Sequence, residues 1–319
     1  MQASYLKNQQ LFYADDIPVP QLEKNQALVK VELAGICATD LALCQGYYPF
    51  EGILGHEFVG TIVDAPQAPE RVGQRVVGEI NMPCGHCTQC QQGRTKHCSN
   101  RKVLGIKDHH GAFADYLTLE LDNLLPVADS ISNQQAVFTE PLAAALAIQQ
   151  QIHITGSMRV LVIGGGRLGQ LIARTLALTG CDLQVVARYS SQQQLLQQHY
   201  IETVAESNIP HATFDVVVEA SGSTEGFKAA RSAVRPRGTI VLKTTTKAPV
   251  SIDSSWVVDE IKLIGSRCGD FKPALRLLEQ GLIHPEDLIM DSFPLAQTKI
   301  AFKKAAEKGV LKVLFEMNS

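Results

Sequence analysis

Half of the cysteines in this chain fall in one short stretch. Cys84, Cys87, Cys90 and Cys98 follow a C-x2-C-x2-C-x7-C spacing through Pro83-Cys84-Gly85-His86-Cys87-Thr88-Gln89-Cys90 and a polar run to Cys98. Thiolates bind zinc at about 2.3 Å in a tetrahedral shell, and gaps of two residues with an intervening glycine let one loop wrap its sulfurs around a single ion. Four sulfurs leave no open position, so the spacing predicts a structural zinc. Cysteines so close in a glycine-containing loop rarely meet disulfide geometry outside redox motifs. His86 and His97 are expected to face solvent, since four thiolates already fill the shell.

A second set is scattered: Cys37 in Gly35-Ile36-Cys37-Ala38-Thr39-Asp40, His56 and Glu57 after Gly55, and Glu140 in Phe138-Thr139-Glu140-Pro141-Leu142. Each alone reads as a core or solvated side chain. Together they suit a catalytic metal site with sulfur, imidazole and carboxylate ligands and one position open for water or substrate. A third signal is Gly164-Gly165-Gly166-Arg167-Leu168-Gly169, directly after the apolar run Val160 to Ile163. G-x-G-x-x-G at a strand-to-helix junction allows a tight turn, close backbone approach to a pyrophosphate and close helix-on-strand packing. An NAD-binding chain would place an acid at the end of the next strand to hold the adenosine ribose. Val186-Ala187-Arg188-Tyr189-Ser190 has none there, and Arg188 suits a 2′-phosphate. NADP(H) is therefore expected, with NAD(H) as the alternative.

The elements that must position these groups change character along the chain. Up to about Val127 short alternating runs (27–33, 58–63, 74–80, 112–119) predict a β-rich, barrel-like domain. From about Ser130 buried strands (158–163, 183–187, 214–218, 239–243, 261–264) alternate with helices (168–178, 225–234), the pattern of a parallel sheet with helices on both faces. Helices over 273–279 and 296–308 and a strand over 311–315 close the chain. The fold class is α/β, divided as 1–129, 130–267 and 268–319.

Composition narrows the function. At 319 residues, with 45% hydrophobic and 19% charged residues, the chain can bury a large core. Its net charge of −3 offers no field for nucleic acid. No apolar run reaches the ~20 residues of a membrane span, and the start lacks a secretory signal, so the cytoplasm is the default expectation.

The order of Gly35-Ile-Cys-Ala-Thr-Asp40, Gly55-His-Glu57, the four-cysteine loop, Glu140-Pro-Leu142 and the glycine fingerprint resembles the zinc-containing medium-chain dehydrogenase/reductase family, over nearly the whole chain. Glu140 as third ligand is similar to the polyol branch rather than the simple alcohol branch, which has cysteine there. The resemblance implies a GroES-like catalytic domain, a Rossmann doubly wound sheet and a C-terminal return to the catalytic domain. It implies two zinc ions per chain, the catalytic one held by Cys37, His56 and Glu140, with Glu57 a direct ligand or one that exchanges with water. Thr39 would carry the alcohol proton, and Asp40 would hydrogen-bond the ligand histidine. Ala220 and Ser221 would line the cofactor ribose, and Arg267, past the last Rossmann strand, would touch the cofactor. Many members continue the proton relay with a histidine, whereas Leu41-Ala42-Leu43 has no titratable group. The implied activity is hydride transfer between an alcohol or polyol, or the matching carbonyl, and the nicotinamide, in a homodimer or homotetramer. A catalytically silent NADPH-binding sensor or scaffold is the alternative, and a zinc-free quinone reductase is disfavoured by the complete ligand set.

Overall fold

The computed structural model describes residues 1–245 and 248–317. The chain forms two compact units: Met1–Glu140 together with the chain from Phe271 onward, and Pro141–Asp270.

The first unit is built around the long strand Gln26–Gly35. It pairs antiparallel with Glu57–Asp64, with Tyr116–Glu120 and with the chain's last strand, Lys312–Glu316. This seven-stranded sheet continues through Arg75–Gly78 and Leu124–Pro126 on one side and Ile289–Pro294 on the other. Along Gln26–Gly35 Ala27, Val29 and Val31 are fully buried in alternation, as a strand with one covered face requires, and a register shift against Glu57–Asp64 between Val31 and Leu33 moves burial to Ala34. A hairpin of Ala3–Lys7 and Gln10–Ala14 turns through Asn8 and Gln9, both with positive φ (49° and 61°). That is the backbone a two-residue hairpin turn needs to match strand twist. The strand expected over 112–119 is shorter. Ala112 and Phe113 donate their N–H groups to Gly55 and Leu54 carbonyls, and only Tyr116–Glu120 joins the ladder. Ala112, Phe113 and Ala114 are all fully buried, so the apolar character there reflects burial, which a bridging segment shares with a strand.

The second unit is a six-stranded all-parallel sheet in the order Glu202–Thr203, Asp182–Val186, Arg159–Ile163, Phe214–Glu219, Val234–Leu242, Lys262–Gly265. In chain order this is 3-2-1-4-5-6, the Rossmann arrangement, whose switch point lies between the first and fourth strands. Helix Thr224–Ala233 buries Phe227, Ala230 and Ala233 against Leu161, Ile163, Phe214, Val217 and Ile240. Trp256 belongs to this core: it is 4% exposed and stacks on Phe227 at 5.2 Å. Its indole fills the space between the helix and the sheet. The edge strand Lys262–Gly265 leaves Leu263 exposed, and Val257 and Val258 just before it are 77% and 79% exposed. Among the described residues no helix is long and apolar enough to cross a membrane.

Candidate active site

Cys37 sits at the N-cap of helix Ala38–Cys44, directly beyond the central strand of the first unit. Three residues into that helix, Asp40 is fully buried and reaches back, accepting the Cys37 N–H through Oδ2 at 2.8 Å. Its other oxygen accepts the Gly55 N–H at 3.3 Å and lies 3.3 Å from His56 Nδ1, within ion-pair range though not aligned as a hydrogen bond. One carboxylate thus ties together the two segments that carry Cys37 and His56. Gly55 makes this possible. It holds φ +97°, and a Cβ there would lie 2.4 Å from the Phe113 ring.

Donor atoms of Cys37, His56 and Glu57 all lie within 4.8 Å of one another, with His56 and Glu57 buried. Burial by itself pushes the His56 pKa down, but the negative charges of Asp40 and Cys37 outweigh it and hold the imidazole well above its ordinary range. The cluster therefore attracts positive charge. A proton on His56 meets that demand in the bare protein, and a divalent cation would meet it better, since its ligands are a thiolate, a neutral imidazole and a carboxylate. The donor set fits a zinc ion. Thr39 Oγ1 lies 3.8 Å from Cys37 Sγ. Glu140 stands apart from the three-residue cluster, half-buried in the first turn of helix Thr139–Leu146.

Lys312 is a residue the sequence reading missed. It forms a buried ion pair with Glu57, the two side chains 4% and 1% exposed, and its Nζ stands 5.4 Å over the Phe138 ring. An unpaired charge here would cost several kcal/mol, so each partner requires the other. Gly35 gives them room, since a Cβ there would come within 2.5 Å of Glu57 Oε2. The one available signal was a lysine inside the apolar run Leu311 to Phe315.

The four-cysteine loop hangs from the small hairpin of Asn81–Met82 and Lys102–Val103. Cys84, Cys87, Cys90 and Cys98 gather with all sulfurs within 4.8 Å of one another, and Cys87–Cys90, Cys87–Cys98 and Cys84–Cys98 lie 3.5 to 3.7 Å apart. Disulfide sulfurs lie about 2.05 Å apart, and these are unbonded. Ligands about 2.3 Å from a tetrahedral centre stand roughly 3.7 Å from one another, which is the spacing seen. Backbone N–H groups aimed at sulfur lower the Cys98 thiol and bring Cys87 down to about 6. Cys90, desolvated and crowded by its neighbours, is pushed up to about 12. Three sulfurs around a fourth repel a further negative charge unless a cation sits between them. His86 and His97 are exposed and outside the group.

In the second unit the glycine turn meets the steric demands of a dinucleotide cradle. Gly164 has φ +111°, and a Cβ on it would lie 2.8 Å from the Ser221 nitrogen. A Cβ on Gly165 would lie 2.5 Å from the Ala187 Cβ, and one on Gly169 only 1.8 Å from the Gly164 carbonyl oxygen. Gly166 faces open space, with no heavy atom within 4 Å of a Cβ position, at the N-cap of helix Arg167–Ala177. Backbone N–H groups and the helix dipole there suit a pyrophosphate. Arg188 is exposed beyond the second strand. Its charge reaches Glu225 in the first turn of helix Thr224–Ala233, whose pKa is lowered by its own backbone N–H, Thr224, Lys228 and Arg188. Arg267 is exposed past the last strand, and its carbonyl accepts from Lys243 Nζ at 3.2 Å.

Comparison with known proteins agrees with this geometry. Residues 23–129 match the alcohol dehydrogenase GroES-like domain. An L-threonine 3-dehydrogenase of Mesorhizobium japonicum is 30% identical over 264 aligned positions, covering 76% of each chain. D-arabinitol dehydrogenase 1 of Uromyces fabae is 28% identical, covering 100% of this chain and 97% of its own. A structure described as a zinc-binding dehydrogenase of Sinorhizobium meliloti 1021, bound to NADP, superposes with a TM-score of 0.92 at 27% identity over 99% of this chain and 98% of the other. The chain belongs to the zinc-containing medium-chain dehydrogenase/reductase family of alcohol and polyol dehydrogenases, and it is an oxidoreductase.

The Asp40 charge is predicted to set the protonation of His56. In the metal-free protein the His56 imidazole should titrate above the usual histidine range, and stabilisation from its charged form is lost as pH rises through that raised value. Asp40→Asn should move the midpoint downward by about one unit or more. Imidazole NMR titration reads both, and an unmoved midpoint would contradict this account.

Proposed function

We propose that this protein is a zinc-dependent dehydrogenase that transfers hydride between an alcohol or polyol and NADP(H), with two zinc ions per chain. The observation that carries the reading is the cluster of half-buried Cys37 with buried His56 and Glu57, braced from beneath by Asp40. Cys37, His56 and Glu140 would hold the catalytic zinc, and Glu57 would join or leave the shell according to its hold on Lys312. Cys84, Cys87, Cys90 and Cys98 would hold the structural ion. When bound, the catalytic ion supplies Lewis acidity toward the alcohol or carbonyl oxygen, and the nicotinamide supplies or takes the hydride.

The chain's own groups do the rest. Asp40 favours the proton on His56 Nδ1, which leaves Nε2 free to act as ligand. Thr39 presents a hydroxyl beside Cys37 Sγ and would carry the alcohol proton away. Beyond Thr39 the helix offers only Leu41, Ala42 and Leu43, so the proton leaves by water, a ribose hydroxyl or Glu57. Gly164 to Gly169 would seat the pyrophosphate and Arg188 the 2′-phosphate, with Ala220, Ser221 and Arg267 along the rest of the cofactor.

Elemental analysis should find about two zinc ions per chain. Cys37→Ala should retain about one and lose activity by roughly a hundredfold or more in a panel of polyols, alcohols and carbonyls followed by NADPH absorbance. Full activity in that variant sinks the zinc-dependent reading. For the cofactor, Arg188→Asp should raise the NADPH Kd by about tenfold or more and leave NADH binding no weaker. An unchanged preference would show that Arg188 does not read the phosphate.

The Lys262–Gly265 edge supports self-association. An edge strand with unpaired backbone groups beside exposed Leu263, Val257 and Val258 templates pairing with a second copy. Light scattering should show a dimer or tetramer, and Leu263→Asp with Val258→Asp should shift it toward monomer. A wild-type monomer at working concentration would rule this edge out as an interface.

A further inference from the structure

The sheet of the second unit buries one carboxylate that the mechanism above does not use. Glu219 ends the fourth strand at the C-terminal edge of the sheet, beside the switch point where Rossmann sheets bind ligands. It is 1% exposed. Among the described residues its side chain meets hydrogen-bond donors and not a cation. Oε1 accepts the Ser221 N–H at 2.8 Å and the Ser221 hydroxyl at 2.5 Å, and Oε2 accepts the Thr244 hydroxyl at 2.8 Å.

A carboxylate only accepts, and a hydroxyl has a single hydrogen. Both hydroxyl hydrogens are therefore spent on Glu219, and the direction of every neighbouring bond follows. Ser221 Oγ and Ser223 Oγ are 2.8 Å apart, so Ser223 must be the donor of that bond. The Ser223 N–H also reaches Ser221 Oγ, at 3.2 Å, which fills both Ser221 lone pairs. Ser223 Oγ in turn accepts the Gly226 N–H as the N-cap of helix Thr224–Ala233. On this side of the carboxylate the network is closed.

Thr244 is the open end. It is half-buried just past the fifth strand, its hydrogen is committed to Glu219, and among the described residues no donor reaches its lone pairs. We infer that Glu219 fixes Thr244 as a hydrogen-bond acceptor for a hydroxyl of the nicotinamide-side ribose. Thr244 is the cofactor-binding residue, and Glu219 is the positioning residue that acts through it. This rests on the dinucleotide reading above. In that reading the adenosine half lies toward Arg188 at the second strand, so the nicotinamide half crosses the switch point toward the fourth and fifth strands. An acceptor-only oxygen beside a buried carboxylate welcomes a sugar hydroxyl and repels a phosphate. It therefore also steers the pyrophosphate to the N–H groups of the glycine turn, whose Gly164 abuts Ser221. Ser221 itself, with its hydroxyl saturated, contributes backbone shape only.

Three variants of the full-length zinc-loaded chain test this, with NADPH and NADH binding read by cofactor fluorescence. Thr244→Val removes the acceptor. Glu219→Gln keeps the shape, but its amide donates to Thr244 and turns the threonine hydrogen outward. Thr244→Ser keeps the acceptor. Loss of this hydrogen bond should raise the Kd of the dinucleotide bound more tightly by about tenfold in T244V, with the double variant no worse than T244V, whereas E219Q, whose outward threonine hydrogen a ribose hydroxyl can accept, should weaken it less than T244V. T244S should stay within about twofold of wild type. Adenosine 2′,5′-bisphosphate and AMP, which lack the second ribose, should bind every variant as they bind wild type. The inference is overturned if T244V binds the dinucleotide like wild type, or if the adenosine fragments weaken in parallel, which would make the network a general structural support. E219Q failing to fold leaves T244V and T244S to decide. A wild-type chain that binds neither dinucleotide would overturn the dinucleotide reading itself, and this inference with it.

Discussion

A single buried carboxylate organises the Cys37, His56 and Glu57 cluster of the first unit. Asp40 is paired with two backbone N–H groups and an imidazole, from segments fifteen and sixteen residues away as well as from its own helix. Backbone donors of this kind must be satisfied once buried, and a charge so deep must be compensated. Those two requirements bring the Cys37 turn and the Gly55-His56 turn to one point, and they favour the charged form of His56 in the bare protein. The Glu57 and Lys312 pair extends the same logic, since the last strand of the chain must dock on Gln26–Gly35 before Glu57 is neutralised. Closing the first unit and completing its charge balance are therefore one event.

The second unit depends on close approach rather than on charge. Gly164, Gly165 and Gly169 stand where any Cβ would collide with backbone or with Ala187, so the turn between the first strand and its helix tolerates no side chain at those three points. The space this leaves at Gly166 is where a phosphate can meet helix N–H groups. Glu219 does for the far side of the crevice what Asp40 does for the metal cluster. It commits hydroxyl hydrogens inward and so decides what the wall presents outward.

Much of this was legible in the residues. The glycine fingerprint and the cysteine spacing could be read because each is local, and Cys37, His56 and Glu57 because such side chains have few alternative uses, whereas Glu140, expected as the third ligand, stands apart from that cluster. The parallel sheet was legible because strands buried on both faces read as continuous apolar runs. The 112–119 run was read as one strand because Ala112, Phe113 and Ala114 are as buried as strand residues, although Ala112 and Phe113 bond to Gly55 and Leu54 instead of joining the ladder.

The amino-acid sequence alone determined the chemistry available to this protein: thiolates, an imidazole and carboxylates for metal, glycines for a dinucleotide and an arginine in place of an acid at the second strand. Tertiary structure decided which groups share a charge. Lys312 meets Glu57 across 255 residues, and Thr244 meets Glu219 across 25. No spacing rule encodes such pairs, because they exist only when strands distant in sequence become neighbours and burial forces each polar group to find a partner.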